Sequence, residues 1–440
     1  MKNLSYTLFC FLLLLSYTLS GQIEKPNFEV HTQGLLDIDD TPFWFQSNTS
    51  GAVEEGTNYV FNVKGAINYK LSENAILKLK ASAFVHDGAN DTFERDELYI
   101  EFENKWLTLT LGSKQVQDKF RGLGVVRDNF VLSGNARAFP GIIAQANKPI
   151  QLSQKLSVDW AIAHYELNDD RFVDGTLVHH KRFGINWIPN SRNRFYAGIE
   201  HYAQWGGISP TEGRQPTGID DFVDIFFARG GNEEASMSDQ GNALGNSLGL
   251  YKFEYIHETI SAEYKLYHHH PFEDGSGTNF RNFPDGIWGF YYQPKNDEYD
   301  SILQGFLVEY VHTLDQSGAT GRSGRDNYFN NRIYNSGWTY DGNTIGLPFI
   351  TVSLNTRVRA YHFGIKTKVK KLTTLFKASY VNSQGTFFNP ITPTLRQVFS
   401  LVENTYDIGK YGDIKLSLGY DLNIDQDNNF GAGLSYSYFF

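Results

Sequence analysis

Cysteine is nearly absent. The 440 residues include one, Cys10, which lies in an N-terminal leader, so the rest of the chain can form no disulfide and no thiolate metal site. Long apolar runs are also missing. After the leader nothing approaches the ~18 consecutive apolar residues of a spanning helix, which leaves a closed barrel as the way to satisfy backbone groups inside lipid. A basic excess is lacking too: 39 Lys and Arg stand against 49 Asp and Glu, for a net charge of -10. That balance argues against a nucleic-acid partner, because phosphate binding needs a basic face. Proline is sparse at 13 residues, which argues against low-complexity disorder.

What is abundant is aromatic. The chain carries 34 Phe, 26 Tyr and 7 Trp together with 41 Gly. Aromatic residues fit a pleated surface, and glycine marks its turns and bends. The mean hydropathy of -0.39 is too polar for a helical bundle in lipid. It suits a transmembrane barrel, in which only every second residue meets lipid. Residues 1–21 read as a secretory signal: Lys2 gives the positive start, Tyr6 to Leu15 the apolar stretch, and Thr18 and Ser20 the small-x-small cleavage pattern. Residues 22–440 then read as one β-barrel of the bacterial outer membrane. Cys10 sits in the middle of the apolar stretch rather than at its end, which disfavours a lipoprotein.

Two-residue periodicity carries the fold assignment. Tyr59, Phe61, Val63, Gly65, Ile67, Tyr69 and Leu71 alternate with Asn58, Asn62, Lys64, Asn68 and Lys70. A tight turn at Ser72-Glu73-Asn74 follows, and alternation resumes from Ala75 to Ala83. Similar runs are expected at 97–103, 107–111, 156–162, 183–187, 195–201, 250–255, 260–267, 303–311, 358–367, 372–381, 397–402 and 414–422. The chain closes on Phe430, Ala432, Leu434, Tyr436, Tyr438 and Phe440, a C-terminal pattern suited to the barrel-assembly machinery. Strand lengths of about ten residues predict an all-β, antiparallel transmembrane barrel of about 16 to 20 strands. Short turns alternate with long connections at 112–150, 203–247, 268–301 and 317–352, as expected for short periplasmic turns and long extracellular or lumen-occluding loops. One loop should hold a short helix, because Ile219, Phe222, Val223, Phe226 and Phe227 follow helical spacing.

Several loop segments are dense in Gly, aromatics and hydrogen-bonding side chains. Sugar rings stack their C–H faces on aromatics and pair their hydroxyls with Asp, Asn, Arg and Gln. The composition makes Arg137, Tyr202, Gln204, Trp205, Phe272, Glu273, Asp274, Tyr328 and Trp338 candidates for binding a polysaccharide. The competing reading is that the same residues lock the loops together and plug the barrel.

At these segments the chain resembles the capsule assembly Wzi-like outer-membrane proteins. The resemblance rests on SGNARAFPGI ending at Ile142, HYAQWGG, HHPFEDGSG, DNYFNNRIYNSGWTYDGNTIGLPF ending at Phe349, and the Glu309-Tyr310 to Gln316-Ser317-Gly318 stretch. It implies an occluded barrel of about 18 strands with a lectin-like role, holding exported capsular polysaccharide at the cell surface. The partners expected are surface polysaccharide and outer-membrane lipid.

Catalytic and metal chemistry are poorly supported, so no enzyme activity, metal or cofactor is expected. His179-His180 and His268-His269-His270 are consecutive, and neighbours on a strand point to opposite faces. Glu273-Asp274 is adjacent too, which does not suit the two sides of a glycosidic bond; structural pairing with Arg137 or Arg281 is expected instead. Gly245-Asn246-Ser247-Leu248-Gly249 matches a nucleophile-elbow pattern but lacks the strand before and the helix after. Gly286-Ile287-Trp288-Gly289 is expected to be a turn or loop. The runner-up to an anchor is a porin or substrate-selective channel, and an open or a filled lumen separates the two.

Overall fold

A computed structural model of the chain describes residues 22–38, 40–88, 93–230, 243–295, 301–317, 327–424 and 427–440; the expected leader at 1–21 lies outside the described residues. The molecule is a closed 18-strand antiparallel β-barrel. Its strands are β1 (Asn27–Ile38), β2 (Tyr59–Ser72), β3 (Ala75–His86), β4 (Phe93–Asn104), β5 (Leu107–Ser113), β6 (Pro140–Ala146), β7 (Leu156–Leu167), β8 (Thr176–Asn190), β9 (Asn193–Trp205), β10 (Asn246–Glu258), β11 (Ala262–Phe272), β12 (Gly286–Pro294), β13 (Leu303–His312), β14 (Val358–Val369), β15 (Leu372–Gly385), β16 (Pro390–Asp407), β17 (Asp413–Asn423) and β18 (Asn429–Phe439). The seam pairs Glu29 with Phe439 through Ile38 with Phe430, and the Phe440 N–H donates to the Phe28 carbonyl at 2.9 Å. Closure leaves no sheet edge to template aggregation or to face lipid unpaired.

The wall is inverted relative to a soluble sandwich. On β17, Ile414, Leu416, Leu418, Tyr420 and Leu422 are exposed, while Ser417, Asp421 and Asn423 are buried. Apolar side chains point outward to lipid and polar ones inward, as the two-residue pattern requires. The start of β1, the end of β18 and the tight turns at 73–74, 105–106 and 191–192 lie at one end, which is periplasmic; the long loops lie at the other, extracellular end.

Three stretches differ from the sequence reading. β1 was not expected, because Thr32 and Gly34 interrupt its outward row between Phe28 and Leu36. β6 lies inside the expected 112–150 loop, and β12 inside the expected 268–301 loop, so Gly286 to Gly289 is strand rather than turn. In β12 both faces are apolar: Ile287 and Tyr291 point inward and are buried, whereas Trp288 and Phe290 point outward. In β12 alternation is lost because its inward side chains join the apolar core that fills the lumen.

Candidate functional site

Three extracellular connections fold back into the barrel, and their sequences explain why. Residues 40–57 carry Trp44 and Phe45 on a one-turn helix, α1 (Phe43–Gln46). Residues 114–139 carry Phe120, Leu123, Val125, Val126, Phe130 and Val131. Residues 327–357 carry Tyr328, Phe329, Trp338, Tyr340, Ile345, Leu347, Phe349 and Ile350. All of these side chains except Phe43 and Gln46 of the helix are buried, and they pack on inward wall residues such as Leu250, Leu307, Val311 and Val358. The core of the molecule is thus a plug inside the lumen, and burying it favours the inserted state by ~25 cal/mol per Å² of apolar surface.

Backbone bonds fasten the plug segments to one another. Ser133 N–H donates to the Ile345 carbonyl at 2.9 Å, and Leu347 N–H to the Phe130 carbonyl at 2.9 Å. Asn48 donates to Val125 O at 3.0 Å, and Asn135 to Thr344 O at 3.1 Å. Gly346 is obligatory at the crossing: a Cβ there would sit 2.4 Å from the Phe329 ring and 2.6 Å from the Phe130 carbonyl.

Polar latches tie the plug to the wall. Val125 N–H donates to Glu309 Oε2 at 2.8 Å, while Tyr267 donates to Glu309 Oε1 at 2.6 Å. His362 Nε2 meets the Leu123 carbonyl at 2.6 Å, so that nitrogen carries the hydrogen, and Nδ1 accepts from Ser379 at 2.7 Å. Asp128 is gripped between Lys119 at 2.6 Å and the wall residue Lys252 at 3.0 Å. Burial alone would raise the Asp128 carboxyl, but the two ammonium groups outweigh it and hold it well below the usual carboxylate range.

The sequence candidates do not converge on one site. Trp338 is fully buried in the plug; its Nε1 donates to the Val131 carbonyl at 2.7 Å and its ring meets Tyr202 edge-on. Tyr202 points inward, stacks on His180 at 4.2 Å and donates to Glu200. Gln204 binds the Gly337 carbonyl at 3.1 Å. Tyr328 donates to Asp285 at 2.9 Å, and Glu273 accepts the Phe329 N–H at 2.7 Å. Trp205 and Phe272 lie on the opposite side of the wall, facing outward: Trp205 packs under the loop helix α2 (Ile219–Phe227), and Phe272 covers Gly249. Tyr202, Gln204, Tyr328 and Trp338 are buried and lock the plug. Arg137 pairs with Asp341 at 2.9 Å and with Glu94 at 3.2 Å, rather than with Glu273 or Asp274. Asp274 instead caps the short helix Gly275–Thr278, accepting from Ser276 N–H at 2.7 Å.

The histidine runs split across the wall as alternation demands. His269 and His180 face inward, whereas His179, His268 and His270 face outward, and His268 stacks on Trp288 at 3.6 Å. Among the described residues the group spaced for a cation is Asp285, His312 and Asp315. The Asp285 carboxylate is already occupied by His312 at 2.7 Å, Gln316 N–H at 2.6 Å, Asp315 N–H and Tyr328. Ser247 lies 3.2 Å from His201 Nε2, but it sits within strand β10 with no elbow, and His201 Nδ1 has no hydrogen-bond partner among the described residues. A nucleophilic serine needs a base that a third group orients.

Beneath the plug the lumen is polar. A cavity of about 540 Å³ is bordered by Lys78, Glu101, Glu103, Lys114, Arg182 and Glu200, and Lys78 pairs with Glu103 at 2.6 Å. On the outside, the loops following β7, β9 and β13 meet: Phe172 N–H donates to Ser336 at 2.9 Å and Asp174 bridges Ile208. Their external surface exposes Asp170, Glu212, Arg332 and Asn335, with Glu212 and Arg332 paired at 3.3 Å.

The description "capsule assembly protein Wzi" attaches to the family model that matches residues 39–428. The chain belongs to that family. Among solved structures, this Wzi-family barrel is similar to Wzi of Escherichia coli, an outer-membrane protein described as a carbohydrate-binding β-barrel involved in group 1 capsule assembly (TM-score 0.61, 14% identity, covering 93% of this chain and 83% of that one). It is also similar to OpdQ of Pseudomonas aeruginosa (TM-score 0.51, 9% identity, 94% and 97% covered) and to OccAB4 of Acinetobacter baumannii (TM-score 0.50, 8% identity, 95% and 99% covered). No curated protein matches by sequence. The closed barrel with its apolar outer face places the Wzi-family chain in the outer membrane.

Proposed function

We propose that this Wzi-family barrel holds exported polysaccharide at the cell surface and does so without catalysis. The observation that carries the reading is the interlocked plug: wall and loops spend their apolar side chains on filling the lumen from the extracellular end, which suits an anchor rather than a pore. Family membership and the carbohydrate binding described for the E. coli protein support it. In this reading the external face with Asp170, Glu212, Arg332 and Asn335 contacts the polymer through hydroxyl-to-amide, carboxylate and guanidinium hydrogen bonds. The buried candidates Tyr202, Gln204, Tyr328 and Trp338 act by holding that face rigid. The charge-lined cavity under the plug is the one observation that favours a channel.

The test is retention of fluorescent capsular polysaccharide by cells that carry or lack the protein. Retention should depend on the protein and fall about tenfold in Arg332→Ala with Asn335→Ala, the loss expected for ~1.4 kcal/mol of contacts. Equal retention with and without the protein would remove the reading.

A further inference from the structure

The helix α2 lies outside the barrel. Along β8 the outward positions are Phe183, Ile185 and Trp187, followed toward the extracellular end by Lys181 and His179. On β9 they are Phe195, Ala197 and Ile199, followed by His201, Ala203 and Trp205. The helix covers this upper part: Phe222, Ile225 and Phe226 pack on His164, His179 and Trp205, and the Lys181 ammonium donates to the Phe226 carbonyl at the helix C-terminal end. A lysine at that end is favourable, because the last carbonyls lack helical partners.

The apolar surface of the helix exceeds what this packing uses. Ile219, Val223 and Phe227 recur every four residues on a second stripe, turned away from the wall, and are 85%, 39% and 58% exposed. The remaining side carries Asp220 and Asp224. A helix resting on a soluble rim would need one apolar face; this one has two adjoining ones and a single acidic side.

The wall shows what the second stripe is for. On β17 the exposed apolar row from Ile414 to Leu422 covers ~27 Å of strand, whereas on β8 the row from Phe183 to Trp187 covers ~13 Å. An outer-membrane barrel needs an apolar band ~25 Å tall all round, so β8 and β9 fall short by about half, where polar Lys181, His179 and His201 would otherwise face lipid. The neighbouring connection between β11 and β12 repeats the arrangement: Phe280 stacks on the outward His270 at 4.5 Å and on Tyr251 at 4.9 Å, and Phe283 beside it is 57% exposed.

We infer that α2, with Phe280 and Phe283, is a lipid-embedded collar that completes the membrane band over β7–β12, its Ile219–Val223–Phe227 stripe taking the acyl chains of the outer leaflet. The occupant follows from continuity, since the stripe extends the lipid-facing row of Phe183, Ile185 and Ile199 directly below it.

Single cysteines at Ile219, Val223 and Phe227, in a Cys10→Ser background, would be spin-labelled and the protein reconstituted in phosphatidylethanolamine and phosphatidylglycerol vesicles. Labels at Leu418 and Asp170 serve as lipid and water references. Collision with oxygen and with a nickel chelate should give all three collar labels an oxygen-to-chelate ratio matching that at Leu418. A ratio matching Asp170 would place the helix above the bilayer and overturn the inference. Low collision with both reagents would mean that protein, such as a second copy, covers the stripe, and would overturn it as well. Label sites are exposed in the fold, and each variant is checked for the heat-modifiable migration of a folded barrel.

Discussion

Trp338 and Trp205 look alike in sequence, each followed or preceded by glycine, yet they work on opposite sides of a wall one strand thick. Trp338→Ala should empty the centre of the plug and cost about 3–5 kcal/mol, the usual range for a buried large aromatic. Urea unfolding of the detergent-solubilised protein would report it as a lowered midpoint; a midpoint equal to wild type would show that the ring is not structural. Asp128 gives a pH-dependent prediction. Its folded carboxyl is held below its unfolded value near ~3.9 by Lys119 and Lys252, so its contribution is complete above that value and is lost as pH falls through the lower folded value. The stabilisation this latch contributes should therefore hold from neutral pH down to about pH 4 and decline below it. In Asp128→Asn the neutral-pH stability should drop by about 3–5 kcal/mol, because Lys252 is left buried with one fewer counter-charge. A decline in the wild type that begins near pH 6 would point to other groups, and an unaltered Asp128→Asn would show that the latch carries no weight.

At the scale of elements, the plug depends on close crossings as much as on large rings. Gly346→Ala should destabilise by about 1–3 kcal/mol through overpacking against Phe329 and the Phe130 carbonyl, read in the same urea titration; Gly342→Ala, where a Cβ meets nothing within 4 Å, is the comparison and tests left-handed backbone strain alone. The strands were legible in the sequence where their inward side chains are mostly polar, as on β2, β3 and β17, because there the two-residue alternation survives. It failed at β12, whose inward Ile287 and Tyr291 join the plug core and are as apolar as its outward residues, at β6, which is only seven residues long, and at β1, whose outward row is broken by Thr32 and Gly34. The helix at 219–227 was legible from its spacing, and burial of its apolar face against the barrel wall or another loop was expected; that it lodges on the outer side of the wall was not legible, because periodicity identifies an apolar face without saying which surface covers it. For the same reason the sequence left two readings of the candidate residues open. Sugar-compatible composition and plug-locking composition are both rich in Gly, Asn and aromatics, and only burial distinguishes Trp338 from a stacking platform. The carboxylate partners of Arg137, Asp341 and Glu94, were not legible, because they stand far away in the chain.

At the scale of the whole molecule, occlusion sets the electrical behaviour. Purified protein in a planar bilayer should give a closed baseline, and steady open-channel currents would favour the channel reading over the anchor. The polar chamber below the plug adds a sharper expectation, because its Lys78–Glu103 and Lys114–Glu101 pairs balance charge of both signs: whatever leak appears when Trp338→Ala loosens the plug should be weakly ion-selective, and a strong preference for cations or anions would contradict that balance. The seating of the first plug segment has an implication for how such a chain is made. The Phe43 N–H donates to Asp421 at 2.8 Å and its ring stacks on Phe399 at 4.4 Å, so a stretch synthesised near the beginning waits for strands delivered almost at the end. Until they arrive, the Phe-Trp-Phe knob has no berth. A polypeptide stalled short of β17 would trail that sticky knob through the periplasm, and its survival would rest with holding chaperones rather than with any local fold of its own.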